Sequence, residues 1–430
     1  MNIDKLKDRL KKETGWFDIY YSESKSYPVK FEHSVLEEVN EYEDSGVGIR
    51  LNKNGKTGFS YTNNSELIEK AADKAIELSA FGEKEHLALP GKTDAVNLKH
   101  EYWKTFDKKT EIAKGTRAIE IIKEKFPHAD VTVQISAGEG SRRLINSEGA
   151  DYSEEYKYYS SYVSALLVDE SGSRLDIGYS DVSTDVFKID FLAEKIAAEL
   201  QLASQVCDAA SGKVPVIFTP DAFAAMLSII LSGFNAKQIY KKLSPFYGKI
   251  GNREFNEKLT ITDDPLIINS PSSYTVDDEG VKAGKRNIIK NGVIENIISD
   301  VKYASLLNIE PSGNSSRNYG GLPHANFSNL IVEPGTTSFK DLCSRAGNGI
   351  IADQFLGLGQ SNTLTGDFSA NLNLAYLVKN GEIQGRIKDC MVSGNIFEML
   401  KNSIEISSDF VSKGGSIIPY ILFENINLTA

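Results

Sequence analysis

Cysteine and histidine are scarce in this chain of 430 residues, which has three cysteines and five histidines. The cysteines lie far apart and outside any Cys-x-x-Cys pattern, so neither a disulfide framework nor a thiolate zinc site is expected; they are Cys207, Cys343 and Cys390. No two histidines have the one-turn spacing that directs two imidazoles toward one metal ion. We therefore expect reduced thiols and no histidine-based zinc site, and a serine–histidine–aspartate triad has little basis; the histidines are His33, His86, His100, His128 and His324.

Long hydrophobic runs are also absent, and the charge balance is acidic. No run of about 18 apolar residues could cross a membrane, and the first stretch, MNIDKLKDRLKKETGW, is too charged for a secretory signal. With 48 basic and 59 acidic side chains the net charge is -11, which disfavours nucleic acid as a direct partner because phosphate contacts need clustered Lys and Arg. These features predict a cytoplasmic globular protein that is long enough for two or three domains.

The first half of the chain predicts a duplicated α-β(n)-α domain over residues 1–209. A starting helix, extended stretches around the Asn-Gly turn of NKNGK, and an Ala-rich helix make a first unit at about 1–80. The same order returns at about 108–207, where ALLVDESGSRLDIGYS takes the place that IRLNKNGKTGFSYT has in the first unit. Strands that follow one another through short turns predict the α+β class.

The second half, residues 210–430, predicts a C-terminal α+β domain whose sheet is built from hairpins. Two segments, NIIKNGVIENIISD at 287–300 and YLVKNGEIQGRIKD at 376–389, share the order strand, Lys-Asn-Gly turn, strand and Asp. An Asn-Gly pair supplies the positive φ angles that a tight two-residue hairpin requires. A helix-like stretch follows each segment, so we expect each hairpin to lead into a helix.

Grouped carboxylates are the most suggestive chemical feature of the second half. Such groups can hold Mg²⁺ or Ca²⁺ through oxygen ligands, or share a proton as an acid pair. Asp before Pro and Asp-Glu-Gly are also turn-forming strings, and the turn interpretation is favoured. An acidic site stays an alternative at Asp263, Asp264, Asp277, Asp278 and Glu279, with Asp367 further along the chain.

Glycine-rich loops offer a second kind of candidate site. None of them matches the GxxxxGK[ST] phosphate loop or a GxGxxG between a strand and a helix, so a nucleotide site is not indicated. The stretch SGNSSRNYGG at 312–321 can present backbone N–H groups and Arg317 to an anionic group such as a peptide carboxylate. A plain surface loop is the simpler interpretation and is favoured.

Several strings that together span nearly the whole chain resemble the TldD/PmbA family, once called modulators of DNA gyrase. They are GVGIRLNKNGKTGFSYT and INSEGADYSEE in the first half, and TITDDPL, VDDEGVKAGKRNIIKNGVIENIISDVKYASLL, SGNSSR, IVEPGTTSFKDLCSRAGNGIIADQFLG and NTLTGDFSANLNLAYLVKNGEI in the second. The DDEG…NG and TGDFS blocks are fairly specific when they occur together. The resemblance implies that the C-terminal domain has the metalloprotease-like fold of that family.

The family has two branches, and the resemblance implies the branch without a catalytic motif. TldD-like members carry an HExxxH zinc motif on a helix just after a Val-rich strand, and a later Cys completes the metal site, whereas PmbA/TldE-like members lack the motif. Here the matching helix, DAFAAMLSIILSGFNAKQIY after VPVIFTP, has Leu227, Ser228, Ile229 and Ser232 in that place, and no Cys occurs from 357 to 369. We therefore assign no catalytic and no metal-binding residue to this chain.

The resemblance implies a subunit of a TldD/TldE-type metalloprotease that acts on small or unfolded peptides. Zinc is expected only in a TldD-like HExxxH paralogue, and the expected dimer partner is that paralogue or a second copy of this chain. Two loops are expected to hold an extended peptide, by strand addition; their residues are Asn314, Arg317, Thr365, Gly366, Asp367 and Ser369. Two alternatives stay open: a stand-alone homodimeric peptide-binding or regulatory protein, and a hydrolase with the carboxylate-based site.

Overall fold

A computed structural model describes residues 3–430 of the protein except 86, 95, 97, 169–171, 187, 188 and 363. His86, one of the histidines considered above, thus lies outside the described residues. Mainly antiparallel strands form two large sheets, and helices pack against them, which confirms the α+β class. None of the described helices combines the length with the apolar composition that crossing a membrane requires.

Residues 3–203 contain four helices and a first sheet within the described part of the chain. The elements are α1 (Ile3–Glu13), β1 (Trp16–Glu32), β2 (Val35–Val39), β3 (Tyr42–Lys53), β4 (Lys56–Thr62), α2 (Ile68–Ser79), α3 (Lys108–Lys125), β5 (Asp130–Asn146), β6 (Asp151–Val168), β7 (Arg174–Ser183) and α4 (Asp190–Ala203), with a short 3₁₀ turn at Ser65–Leu67. The strand order is β4-β3-β1-β5-β6-β7, with β2 on β1, and every pair is antiparallel.

Alternation along the strands decides which face of this sheet meets the helices. Phe17 and Ile19 of β1 and Ile49 of β3 pack with Leu6 and Leu10 of α1 in one apolar cluster, which α2 completes. Burying each of these side chains contributes about 1.5–3 kcal/mol. Strands β5, β6 and β7 pack on α3 and α4 in the same way, so the two repeated units predicted from the sequence share one continuous sheet.

Residues 206–429 form a second, larger sheet with its own helices in the described part of the chain. The elements are β8 (Val206–Cys207), β9 (Gly212–Phe218), α5 (Pro220–Ser232), α6 (Ala236–Tyr240), β10 (Ile261–Asp263), β11 (Arg286–Lys290), β12 (Val293–Ile294), α7 (Val301–Leu307), β13 (Ser315–Ser316), β14 (His324–Ala325), β15 (Leu330–Val332), α8 (Phe339–Ala346), β16 (Gly349–Leu356), β17 (Asp367–Lys379), β18 (Glu382–Ile387), β19 (Met391–Asn395), α9 (Ile396–Lys401), β20 (Ile404–Lys413) and β21 (Ser416–Thr429), with a 3₁₀ turn at Leu358–Gln360.

The order of the larger sheet is β12-β11-β10-β15-β21-β9-β16-β17-β18-β8, with β20 on β21. Because β19 pairs with both β17 and β21, the strands β21, β9, β16, β17 and β19 close a ring of pairings. The short strands β13 and β14 pair with each other. Apolar side chains from all five of these strands belong to one hydrophobic cluster together with α5.

The two predicted Asn-Gly hairpins are confirmed. The φ angles are 47° and 76° at Asn291 and Gly292, and 52° and 81° at Asn380 and Gly381. These pairs join β11 to β12 and β17 to β18 in two-residue loops. Positive φ at both central residues matches the right-handed twist of the flanking strands, which is why the Asn-Gly signal is reliable.

The two sheets are packed together through a shared core. One hydrophobic cluster includes Ile196 of α4 together with Ile217 of β9 and Leu374 of β17. The domain boundary predicted near residue 209 lies between β8 and β9 and stays a prediction.

Candidate functional site

A polar cavity of about 440 Å³ lies where the first sheet meets loops of the second half. Strands β1, β3, β5 and β6 form one wall, and parts of the loops 271–278 and 314–319 form the other. A volume of this size is in the usual range for small-molecule or peptide-end sites. Asn314 and Arg317, two of the residues predicted to hold a peptide, line it.

The first sheet carries two ion pairs between directly opposed residues, and one of them, Arg142 with Glu154, lines the cavity. Asp18 of β1 faces Arg50 of β3, and Arg142 of β5 faces Glu154 of β6. Arg50 donates to Asp18 Oδ2 from Nε at 2.9 Å and from Nη2 at 2.5 Å. The side chain of Asp18 is only 1% exposed and that of Arg50 only 5%, so both charges are removed from water. Buried charges of this kind need further partners, because desolvation costs as much as the pair gains.

The second half of the chain supplies those partners. Arg317 Nη1 donates to Asp18 Oδ1 at 2.8 Å, and Arg50 Nη2 also donates to Glu279 Oε1 at 2.8 Å. Burial favours the protonated form of Asp18, but Arg317 and Arg50 outweigh it and hold the pKa of Asp18 below its usual value. The carboxylate is therefore charged at neutral pH and joins the two halves.

Asp277 connects the two loops that form the cavity wall. Its Oδ2 accepts a hydrogen bond from the backbone N–H of Ser315 at 2.9 Å. Its Oδ1 accepts from the backbone N–H groups of Glu279 at 3.0 Å and Val281 at 2.9 Å. The residue is 4% exposed, and burial, followed by the nearby charge of Glu279, raises the pKa of Asp277 to about 7. This carboxyl group therefore titrates in the neutral range.

Asp278 and Glu279 connect the same loop to the sheet and to a helix. Asp278 Oδ1 accepts from Arg142 Nη1 at 2.8 Å. Glu279 accepts from Arg50 and, through Oε2, from the backbone N–H of Val301 at 2.8 Å in the first turn of α7. A carboxylate is favourable there because a helix N-terminus carries partial positive charge.

Two more of the grouped acids, Asp263 and Asp264, do not line the cavity. Asp263 is fully buried and accepts from Ser328, and its Oδ2 accepts from Asn314 Nδ2 at 2.6 Å. Burial raises the pKa of Asp263. Asp264 Oδ1 accepts from the backbone N–H of Leu266 at 3.0 Å, a turn contact. Among the described residues, no group of three or more His, Cys, Asp and Glu side chains has the geometry to hold a metal ion.

Two glycines of β3 let the loop 314–319 approach the sheet closely. A Cβ on Gly48 would lie 2.3 Å from the carbonyl oxygen of Tyr319, and one on Gly46 would lie 2.4 Å from its ring. The Tyr319 hydroxyl donates to Asp44 Oδ1 at 2.8 Å on the same strand. Because Gly46 and Gly48 have no side chain, the loop can lie directly against β3.

The second loop predicted to hold a peptide, 365–369, lies at the start of β17 rather than on the strands that line the cavity. Thr365 Oγ1 donates to Asp367 Oδ2 at 2.8 Å, and Asn395 Nδ2 donates to Asp367 Oδ1 at 2.9 Å. Gly366 has a φ of 80°, which a glycine adopts without strain. These contacts hold the turn against the start of α9, and none of the residues 365–369 lines the cavity.

The positions that the family resemblance matches to the zinc motif lie on α5, and their side chains are Leu, Ser and Ile. Ser228 and Ser232 donate their hydroxyls to the carbonyl oxygens of Ala225 at 2.9 Å and Ile229 at 2.8 Å in the same helix. Leu227 and Ile229 are buried in the core. Zinc in proteins takes imidazole, thiolate or carboxylate ligands, so these side chains do not fit a zinc ion.

Sequence reasoning missed two residues that line the cavity, Tyr20 and Arg142. It also missed the buried pair of Asp18 and Arg50, which contacts the cavity residue Arg317 through Asp18. A signal was present in FDIYY and GIRLN, where one charged residue interrupts an otherwise apolar strand. A charged residue in such a place is seldom buried without a partner. The identity of the partner depends on strand register, which these strings do not specify.

Family models match most of the chain. The model described as the PmbA/TldA metallopeptidase C-terminal domain matches residues 211–430, the model of domain 1 matches residues 17–79, and the model of the central domain matches residues 102–208. The C-terminal model alone covers more than half of the chain.

Individual relatives match over nearly their full length. An uncharacterized protein of Methanocaldococcus jannaschii is 28% identical over 428 residues, which is 99% of each chain. A protein of Methanothermobacter thermautotrophicus named metalloprotease is 26% identical over 437 residues, 96% of this chain and 93% of the relative. The crystal structure of TldE from Thermococcus kodakarensis shares the fold with a TM-score of 0.92, at 23% identity and 100% coverage of both chains. With all three family models in chain order, this protein belongs to the PmbA/TldD metallopeptidase family.

Proposed function

We propose that this chain is a PmbA/TldE-like subunit of a TldD/TldE-type metalloprotease and holds peptide for a partner that carries the zinc site. The observation that carries the proposal is the set of side chains on α5. At the positions of the zinc motif, Leu227 and Ile229 are in the core, and Ser228 and Ser232 bond to their own helix. Such a helix supports packing but provides neither a metal ligand nor a base for a water.

Small or unfolded peptides are the proposed substrate. The cavity has a volume of about 440 Å³, which suits a short chain end rather than a folded protein. Its wall contains Asn314 and Arg317, which provide hydrogen-bonding groups for an extended peptide. The separate loop 365–369 would contact another part of an extended substrate, by addition of a strand.

Zinc belongs, in this proposal, to a TldD-like HExxxH paralogue, and this chain contributes no cofactor. The partner in the dimer is that paralogue or, if none exists in the cell, a second copy of this chain. Co-purification from the native cell distinguishes the two cases. A stand-alone peptide-binding or regulatory homodimer would come without any HExxxH protein.

The test is metal analysis and peptide cleavage with the purified chain, alone and mixed with the paralogue. We expect no stoichiometric zinc and no cleavage of an unstructured fluorogenic peptide by the chain alone. The mixture should cleave the peptide, and EDTA should abolish the cleavage. One zinc ion per isolated chain together with EDTA-sensitive cleavage would contradict the proposal.

A second candidate function, a hydrolase with a carboxylate-based site, is favoured by one observation. Asp277 is buried beside Glu279, and its pKa is raised to about 7, which suits a group that exchanges a proton near neutral pH. The same assay separates the two candidates. Cleavage by the isolated chain that EDTA does not reduce would favour the carboxylate site.

A further inference from the structure

Three arginines of the first sheet use the same edge of the guanidinium group on a carboxylate. In each of them Nε and Nη2, which point in the same direction, donate to a single Asp or Glu. Arg143 places these donors on the two oxygens of Asp151, whereas Arg50 and Arg142 place both on one oxygen of the partner. This edge matches the spacing of two carboxylate oxygens. The pairs are Arg50 with Asp18, Arg142 with Glu154, and Arg143 with Asp151.

Arg317 lies next to these pairs, but the same edge of its guanidinium has no partner. Its Nη1 donates to Asp18 Oδ1 at 2.8 Å, whereas Nε and Nη2 are buried and make no hydrogen bond. The guanidinium carbon stacks 4.6 Å from the centre of the Tyr20 ring, and the side chain is 1% exposed. The group is therefore held in one orientation, with two aligned buried donors that have no partner among the described residues.

Two neighbours of Arg317 also present buried polar atoms without a partner. These are Oδ1 of Asn314 and Oγ of Ser315, whose residues are 1% and 4% exposed. All three residues line the cavity. Buried polar atoms are nearly always hydrogen-bonded in folded proteins, so four such atoms within four residues of chain mark a place for a polar group.

The ion pairs around Arg317 indicate that its Nε and Nη2 edge is where an added anion would bind. Arg142 and Arg50 each form ion pairs with two carboxylates. In the described part of the chain Arg317 forms an ion pair only with Asp18, which it shares with Arg50. A carboxylate on this edge would complete for Arg317 the arrangement that the other arginines already have. It would also keep the ion pair to Asp18 intact.

We propose that Arg317, Ser315 and Asn314 bind the C-terminal carboxylate of a peptide. The Nε and Nη2 edge of Arg317 takes the two carboxylate oxygens, and the Ser315 hydroxyl donates to one of them. Asn314 Oδ1 accepts from the N–H of the last peptide bond. The proposal rests on the proposed function, in which this chain holds peptide, and it names the end of the peptide that is held.

The experiment compares two probes on the full-length chain by isothermal titration calorimetry: N-acetyl-tetraalanine with a free C-terminal carboxylate, and the same peptide as the C-terminal amide. The acid should bind at least about tenfold more tightly than the amide, because a bidentate charge-assisted pair is lost in the amide. Arg317→Lys should remove this preference, since lysine keeps the charge but not the edge. Arg253→Lys is the matched control, because Arg253 pairs with Glu257 on the surface, and should keep the preference.

If the unmodified chain binds the acid and the amide with equal affinity, or binds neither, the proposal is overturned. This comparison uses no variant, so misfolding of a variant cannot affect it. A preference that persists in Arg317→Lys would overturn the assignment to Arg317. Acetate that binds as tightly as the peptide acid would overturn the role of Asn314 and of the peptide. The zinc and cleavage assays report separately on the proposed function, so a failure of one proposal is distinguishable from a failure of the other.

Discussion

Asp18→Asn tests the charged junction between the two halves with little change in side-chain size. Asp18 accepts three hydrogen bonds, from Arg50 Nε at 2.9 Å, from Arg50 Nη2 at 2.5 Å and from Arg317 Nη1 at 2.8 Å. The substitution removes the one carboxylate that both arginines share. Asparagine has one acceptor oxygen, and its amide nitrogen would face a guanidinium N–H.

The expected loss follows from this geometry. A hydrogen bond to a charged group contributes about 1.5–3 kcal/mol, and removing one member of a buried ion pair costs about 3–5 kcal/mol. Arg50 keeps Glu279, so the cost falls mainly on Arg317, whose side chain is 1% exposed. We therefore expect the free energy of unfolding to fall by about 3–5 kcal/mol.

Urea denaturation, followed by tryptophan fluorescence, measures the loss. Trp16 lies beside the junction, with its ring centre 5.5 Å from the Arg50 guanidinium carbon. The matched control is Glu257→Gln, which breaks an exposed pair with Arg253 and should cost less than about 1 kcal/mol. A loss of less than about 1 kcal/mol in Asp18→Asn as well would refute the view that this junction is held by buried charge.

Gly48→Ala should lower the free energy of unfolding by about 1–3 kcal/mol, because a Cβ would lie 2.3 Å from the carbonyl oxygen of Tyr319. Gly284→Ala, whose Cβ meets no atom within 4 Å, should change it by less than about 1 kcal/mol in the same urea assay, and equal effects would contradict the close approach. Burial raises the pKa of Asp277 to about 7 and that of Asp300 to about 6, so the folded state keeps protons that the unfolded state has lost. Their contribution to stability is full below the unfolded pKa near 3.8 and is lost as the pH rises to about 7. Unfolding measured from pH 4 to 8 should show a smaller decline for Asp277→Asn than for the unmodified chain, and an unchanged decline would refute this.

Local turn chemistry explains why much of the fold could be predicted from the sequence. Asn291-Gly292 and Asn380-Gly381 form two-residue hairpins because the φ angles that these residues tolerate also set the twist of the strands. The repeated α-β(n)-α order of the first half likewise depends on helix caps and alternation within short segments. The closed ring of strands in the second half depends on pairs such as β19 with β17 and β21, which no local string specifies.

The candidate site depends on contacts between distant parts of the chain. The composition of the loop around Arg317 favoured a plain surface loop, and its expected role in holding peptide came from the family resemblance. Its ion-pair partner Asp18 is 299 positions away in the chain. The loop 365–369 was grouped with it through the family resemblance, and the structure places it at the start of β17. The partnerships of Asp18 and Arg142 follow from strand register and from packing between the halves, and neither is encoded in a short string.

Contacts with three different neighbours explain why three acidic residues follow one another at 277–279. Asp277 binds the backbone of the loop 314–319, Asp278 binds Arg142 of the first sheet, and Glu279 binds both Arg50 and the start of α7. Each carboxylate is thus directed to a different neighbour, and a cation could bind several of them only if these hydrogen bonds were exchanged. Because the position of Arg317 depends on the same loop and the same sheet, the shape of the cavity requires both halves of the chain. If the proposed peptide binding holds, a substitution on either side of the junction should weaken it in the calorimetric assay even where the substituted residue does not touch the peptide.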